Sequence, residues 1–97
     1  MMNTLSFDVD KLIKICREND AAMVGVFGST ARGDDTSASD IDLMVKFSKR
    51  KSLLDIVRIE RELSTELGKK VDLLTEAAIS PYLRDRILRE LQVIYEN

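Results

Sequence analysis

Two aspartates, Asp40 and Asp42, stand two residues apart in the run Ser39-Asp40-Ile41-Asp42-Leu43. Through Ser39–Phe47, Ile41, Leu43 and Val45 alternate with Asp40, Asp42 and Met44, which predicts a strand. On a strand, residues i and i+2 share a face, so the two carboxylates sit side by side. Like charges this close repel unless a cation neutralises them. The chain has no histidine and one cysteine, so the donors are hard oxygens, which suit magnesium or manganese. A third acid, Asp72, lies in Lys70-Val71-Asp72-Leu73-Leu74, with Val71 and Leu73 facing the other way. If that segment pairs beside Asp40–Phe47, Asp72 joins the same patch. Two carboxylates and a third can hold two divalent ions about 3.5–4 Å apart, activating an attacking oxygen and stabilising a leaving phosphate oxygen. Asp72 would ligate the ion nearest an incoming hydroxyl and help to remove its proton.

Ten residues separate Asp40 from an upstream Gly28-Ser29 pair. Glycine lets a backbone approach a ligand closely, and a helix starting there aims free N–H groups at an anion. The Ser29 hydroxyl adds a donor. The bland alternative is a Gly-Ser turn followed by an exposed strand edge whose acids serve solubility. The chain lacks both G-x-x-x-x-G-K-[ST] and G-x-G-x-x-G, so it is neither a P-loop nor a dinucleotide-binding protein.

These residues need elements to position them. Val9, Leu12, Ile13 and Cys16 predict an amphipathic helix over Asp8–Asn19. The apolar run Ala22–Phe27 predicts a buried strand delivering Gly28. Ser29–Gly33 suits a brief helix and Asp34–Ser39 a loop. Ser48–Ser52 is a basic loop. Leu53–Leu67 predicts a helix with Leu53, Ile56, Val57, Leu63 and Leu67 on one face, stopped by Gly68. Val71–Thr75 is a third strand. Ser80-Pro81 caps and starts a last helix running to about Tyr95, with Ile87, Leu88, Leu91, Ile94 and Tyr95 apolar. The sum is one α/β (α+β) domain over residues 1–97, a small sheet with helices packed on it.

Composition narrows the function. At 97 residues the chain holds one modest core. Without histidine, Ser-His-Asp and Cys-His catalysis are excluded. Aromatics are 5% and the formal charge is −2, which disfavours direct nucleic-acid binding. The lone Cys16 forms no internal disulfide and reads as a buried, inert thiol. No apolar run is long enough to span a membrane and the acid-bearing start is no signal peptide, so a cytoplasmic location is expected.

Gly28-Ser29-Thr30-Ala31-Arg32-Gly33 followed by Ser39-Asp40-Ile41-Asp42-Leu43 resembles the nucleotidyltransferase superfamily. The small size is similar to its minimal nucleotidyltransferases, the antitoxins of HEPN/MNT toxin–antitoxin pairs. The resemblance covers nearly the whole chain. It implies a mixed sheet, triphosphate binding by Gly28 and Ser29, and two magnesium ions on Asp40, Asp42 and Asp72. Arg32 matches the arginine usual in the short helix, expected near the phosphates or holding the loop. It further implies transfer of AMP from ATP to a tyrosine hydroxyl of a HEPN ribonuclease toxin. Larger members carry a second domain that closes over base and acceptor. Its absence here favours a protein partner that completes the site. Two other readings stand beside this one: modification of an antibiotic-like small molecule, and non-catalytic capping of the toxin.

The run Lys46-Phe47-Ser48-Lys49-Arg50-Lys51 is either a solvated loop or a contact for the triphosphate or an acidic partner patch. Arg84, Arg86 and Arg89 are read as a solvated helix face, with Arg86–Glu90 an i,i+4 pair. Whether the apolar edges of the first and last helices build a homo-oligomer is left open.

Overall fold

The computed structural model describes residues 7–28 and 40–97. Helix α1 (Val9–Glu18) starts at Asp8, whose side chain accepts from Lys11 N–H at 3.1 Å. It ends where the Asn19 side-chain amide donates to the Ile15 carbonyl at 2.8 Å. Asp20 then takes a left-handed conformation, φ 69°, which the short Asp side chain tolerates. Strands β1 (Ala21–Val26) and β2 (Ile41–Phe47) follow. Helix α2 (Leu53–Leu67) opens with a capping box. Ser52 Oγ accepts from Asp55 N–H at 3.2 Å, and Asp55 Oδ2 accepts from Ser52 N–H at 3.1 Å. Gly68, at φ 69°, closes it as expected. Strand β3 (Val71–Thr75) and a 3-10 turn (Glu76–Ala78) lead to α3 (Pro81–Glu90), with Ser80 as its cap and Pro81 in its first turn.

The last element corrects the sequence reading. The helix expected to reach about Tyr95 stops at Glu90. Leu91 is extended, ψ 128°, and Gln92–Glu96 form β4. The spacing of Ile87, Leu88, Leu91, Ile94 and Tyr95 imitates a helical stripe. Val93, Ile94 and Tyr95 are nonetheless strand formers, and β4 pairs with the open edge of β1.

The sheet order is β3-β2-β1-β4. β1 is antiparallel to β2 and to β4, while β2 and β3 run parallel. The parallel pair is joined through α2, as parallel strands require. One face packs on α1 and α2 around Leu12, Cys16, Val24, Ile41, Leu43, Ile59 and Leu63. The other face carries Met23 and Met44 against Ile87 of α3. Gly25 lies on this second face, where a Cβ would come within 2.5 Å of Leu91 Cδ1.

On α2 the buried stripe is Ile59 and Leu63, with Ile56 and Leu67 partly covered. Leu53 is 78% and Val57 41% exposed, although both were expected on the packed face. The inward stripe runs 56, 59, 63, 67, and Val57 falls a third of a turn away from it. At β3, Leu73 N–H donates to Glu60 Oε2 at 2.8 Å and Val71 N–H to Ser64 Oγ at 2.9 Å. Two side chains of α2 thus take amides that β3 turns away from β2.

Candidate active site

The carboxylates stand where β2 and β3 begin. In the parallel register Asp42 lies opposite Asp72, Ile41 opposite Val71 and Met44 opposite Leu74. Ile41 and Val71 are buried on the α1/α2 face, while Met44 and Leu74 pack toward α3. Strand alternation therefore puts Asp42 and Asp72 together on the α3 face. Their backbones are about 4.8 Å apart, the ordinary spacing of paired strands. The pairing on which the role of Asp72 depended is present. Asp40 is exposed, one residue ahead of β2. The next amide, Ile41 N–H, donates to the Lys70 carbonyl at 2.9 Å, which sets the start of β2 against the start of β3.

Gly28 comes to the same place from β1. Phe27 N–H donates to the Asp42 carbonyl at 3.1 Å. Gly28 has φ 64°, and a Cβ there would lie 2.6 Å from Asp42 Oδ2. Only glycine satisfies both the backbone and the carboxylate. The missing side chain at Gly28 is what lets the end of β1 lie against the Asp42 carboxylate. Ser29 and Arg32 lie outside the described residues, as do the expected Ser29–Gly33 helix and Asp34–Ser39 loop.

Among the described residues no three acidic or thiol side chains gather tightly enough to form a complete metal cage. The fold supplies the backbone placement: two carboxylates in register and a third at the strand entrance. The donors are hard oxygens, which fits magnesium rather than a soft or imidazole-seeking metal.

The sequence profile of the Nucleotidyltransferase domain family matches residues 9–94. The chain is a minimal nucleotidyltransferase. It is 48% identical over 80 residues to the Methanocaldococcus jannaschii protein named "Putative protein adenylyltransferase MJ0435", covering 82% of this chain and 86% of that one. It is 37% identical over 68 residues to the protein adenylyltransferase MntA of Thermococcus cleftensis, covering 70% and 69%. Its fold is shared with a chain of a toxin–antitoxin crystallised with AMP-PNP, at TM-score 0.82 and 22% identity, over 99% of this chain and 75% of that one. It is also shared, at TM-score 0.73 and 21% identity over 91% and 69%, with a chain of the complex between tri-AMPylated Shewanella oneidensis HEPN toxin and its MNT antitoxin.

Elsewhere in the nucleotidyltransferase, the basic run lies at the other end of β2 from the carboxylates. Lys46 follows Asp42 by four residues, about 13 Å along a strand. Lys51 Nζ is 2.8 Å and Lys49 Nζ 3.7 Å from the Asp20 carboxylate. These contacts, led by the hydrogen bond from Lys51, hold the Asp20 carboxyl below its usual range. Two of the lysines considered for the triphosphate therefore anchor the α1–β1 turn. Nothing in the pattern around Asp20 announced that role, because its partners come from about 30 residues downstream. The Arg86–Glu90 pair forms as expected, at 3.7 Å. Burial, with a smaller contribution from Glu62, pushes the Cys16 thiol up to about 12, which makes it a poor nucleophile. No helix among the described residues is long and apolar enough to cross a membrane.

Proposed function

We propose that this nucleotidyltransferase is a cytoplasmic antitoxin that transfers AMP from ATP to a tyrosine hydroxyl of a HEPN ribonuclease toxin. The observation that carries the reading is the contact of Gly28 with the Asp42 carboxylate, beside Asp72 in register. It joins a close-approach backbone to paired acids, the two halves of a phosphate-transfer site. The adenylyltransferase names of relatives at 48% and 37% identity support AMP as the group transferred. The HEPN partner is suggested by the solved complex of the same fold.

In this reading Gly28, Ser29 and Arg32 hold the triphosphate, and Asp40, Asp42 and Asp72 bind two magnesium ions. Bound magnesium would neutralise the clustered acids and the charge developing on the phosphates. The tyrosine oxygen forms a bond to the α-phosphorus as the bond to the bridging oxygen breaks. Pyrophosphate leaves with that electron pair, and Asp72 receives the hydroxyl proton. The chain contributes position and charge, as in phosphoryl transfer generally.

The test incubates the purified protein with labelled ATP, magnesium and the product of the neighbouring reading frame. The expected result is a mass gain on that product in AMP-sized steps. Absence of label, with tight binding that survives Asp40→Ala and Asp42→Ala, would instead establish a capping module.

A further inference from the structure

A cleft of about 740 Å³ opens where β2 and β3 end, away from the carboxylates at their starts. Its apolar lining includes Phe47, Leu53 and Ile56, and Leu53 is 78% exposed. The next residue, Leu54, is 80% exposed. Lys46 and Arg50 stand exposed on the rim. Two further cations there are engaged: Lys51 with Asp20 at 2.8 Å and Arg84 with Glu76 at 3.9 Å. Lys46 and Arg50 have no ion-pair partner among the described residues. The chain as a whole is net negative, so this concentration of positive charge is local.

We infer that the cleft docks an acidic segment with interspersed aliphatic side chains, belonging to the protein that receives AMP. The identity of that protein rests on the function proposed above; the chemistry of the cleft does not. Carboxylates complement Lys46 and Arg50, and aliphatic groups cover Leu53 and Ile56. A nucleic acid fits less well. The Phe47 ring is already faced by Lys51 Nζ at 5.9 Å, and Glu76 puts a carboxylate among the cations. The apolar lining beside Phe47 is aliphatic Leu53 and Ile56, which offers no second ring for a base to stack on. Docking here would hold the acceptor without touching the reacting atoms, so it raises encounter rather than the chemical step.

The test uses a short fluorescein-labelled peptide of alternating Glu and Leu, read by anisotropy. Wild type should bind it at least tenfold more tightly than Lys46→Glu/Arg50→Glu, and at least tenfold more tightly than the same peptide with Gln for Glu. Leu53→Ser should weaken binding several-fold at an unchanged melting temperature, which separates a lost contact from a lost fold. Equal binding by wild type and both variants overturns the inference. So does a single-stranded RNA of equal charge that binds as tightly as the peptide. In the transfer assay, Lys46→Glu/Arg50→Glu should raise KM for the acceptor protein about tenfold at constant kcat. If wild type labels no protein, the functional reading fails while the peptide still decides the cleft.

Discussion

The two faces of the sheet are built unequally. Toward α1 and α2, fourteen buried residues among those described form one continuous cluster. Toward α3 the buried set is Met23, Met44 and Ile87, and Asp42 and Asp72 share that face. The thick face supplies most of the apolar burial that opposes chain entropy. The thin face leaves room for charge, because two carboxylates in register tolerate neither desolvation nor a tight apolar cover. The larger apolar cluster and the paired carboxylates thus occupy opposite sides of the same strands.

The largest effect is expected from Asp72→Asn. Loss of an outer-sphere partner alone typically costs roughly 10- to 100-fold in metal affinity or activity, so if Asp72 is a direct ligand, as proposed above, its loss should lower AMP transfer by more. The melting temperature should stay level or rise, since like charges opposite one another on paired strands are destabilising. Retained transfer in that variant would remove Asp72 from the site. Gly28→Ala should also abolish transfer, because the added methyl meets the Asp42 carboxylate.

Leu63→Ala, on the thick face, should cost about 2–5 kcal/mol in denaturant unfolding and leave kcat unchanged below the transition. Ile87→Ala should cost less than Leu63→Ala, having fewer buried neighbours to lose. A larger loss at Ile87 would invert the assignment of stability to the α1/α2 side.

Gly25→Ala probes the contact between the faces and the chain end. Its methyl would meet Leu91 Cδ1, the end of a side chain able to shift, so about 1–3 kcal/mol is expected for overpacking. The smallest effect belongs to Lys51→Met. The depressed Asp20 carboxyl stabilises the fold above its unfolded pKa of about 3.9, and this is lost as pH falls through the lower folded value. The variant should therefore melt slightly lower than wild type at pH 7, and the gap should close in acid. Thiol labelling offers a check on the thick face: with Cys16 buried and its thiol raised to about 12, labelling should follow the global unfolding rate.

Much of this arrangement was legible in the residue pattern. The alternation around Asp40–Phe47 identified both the strand and the acid-bearing side. Ser52, Gly68 and Ser80-Pro81 marked helix ends, because caps are local chemistry written in a few adjacent residues. The opposition of Asp42 and Asp72 could be posed only as a condition, since strand order is a long-range property. The fourth strand was missed for a related reason. Gln92–Glu96 has apolar residues that fit a helix as well as a strand, and its partner β1 lies about 70 positions upstream. Glu60 gave no local signal either: an acid on an exposed-looking helical turn reads as solvated until β3 is laid beside it.

Glu60 reaches the carboxylate end of the sheet from α2. The Glu60 carboxylate grips the amide immediately after Asp72, and Ser64 grips the one immediately before it. The third acid is thus bracketed by a helix that contributes no ligand of its own. The height of Asp72 along β2 therefore depends on two α2 side chains as well as on strand pairing, so a change at Glu60 or Ser64 reaches the carboxylate pair without touching it.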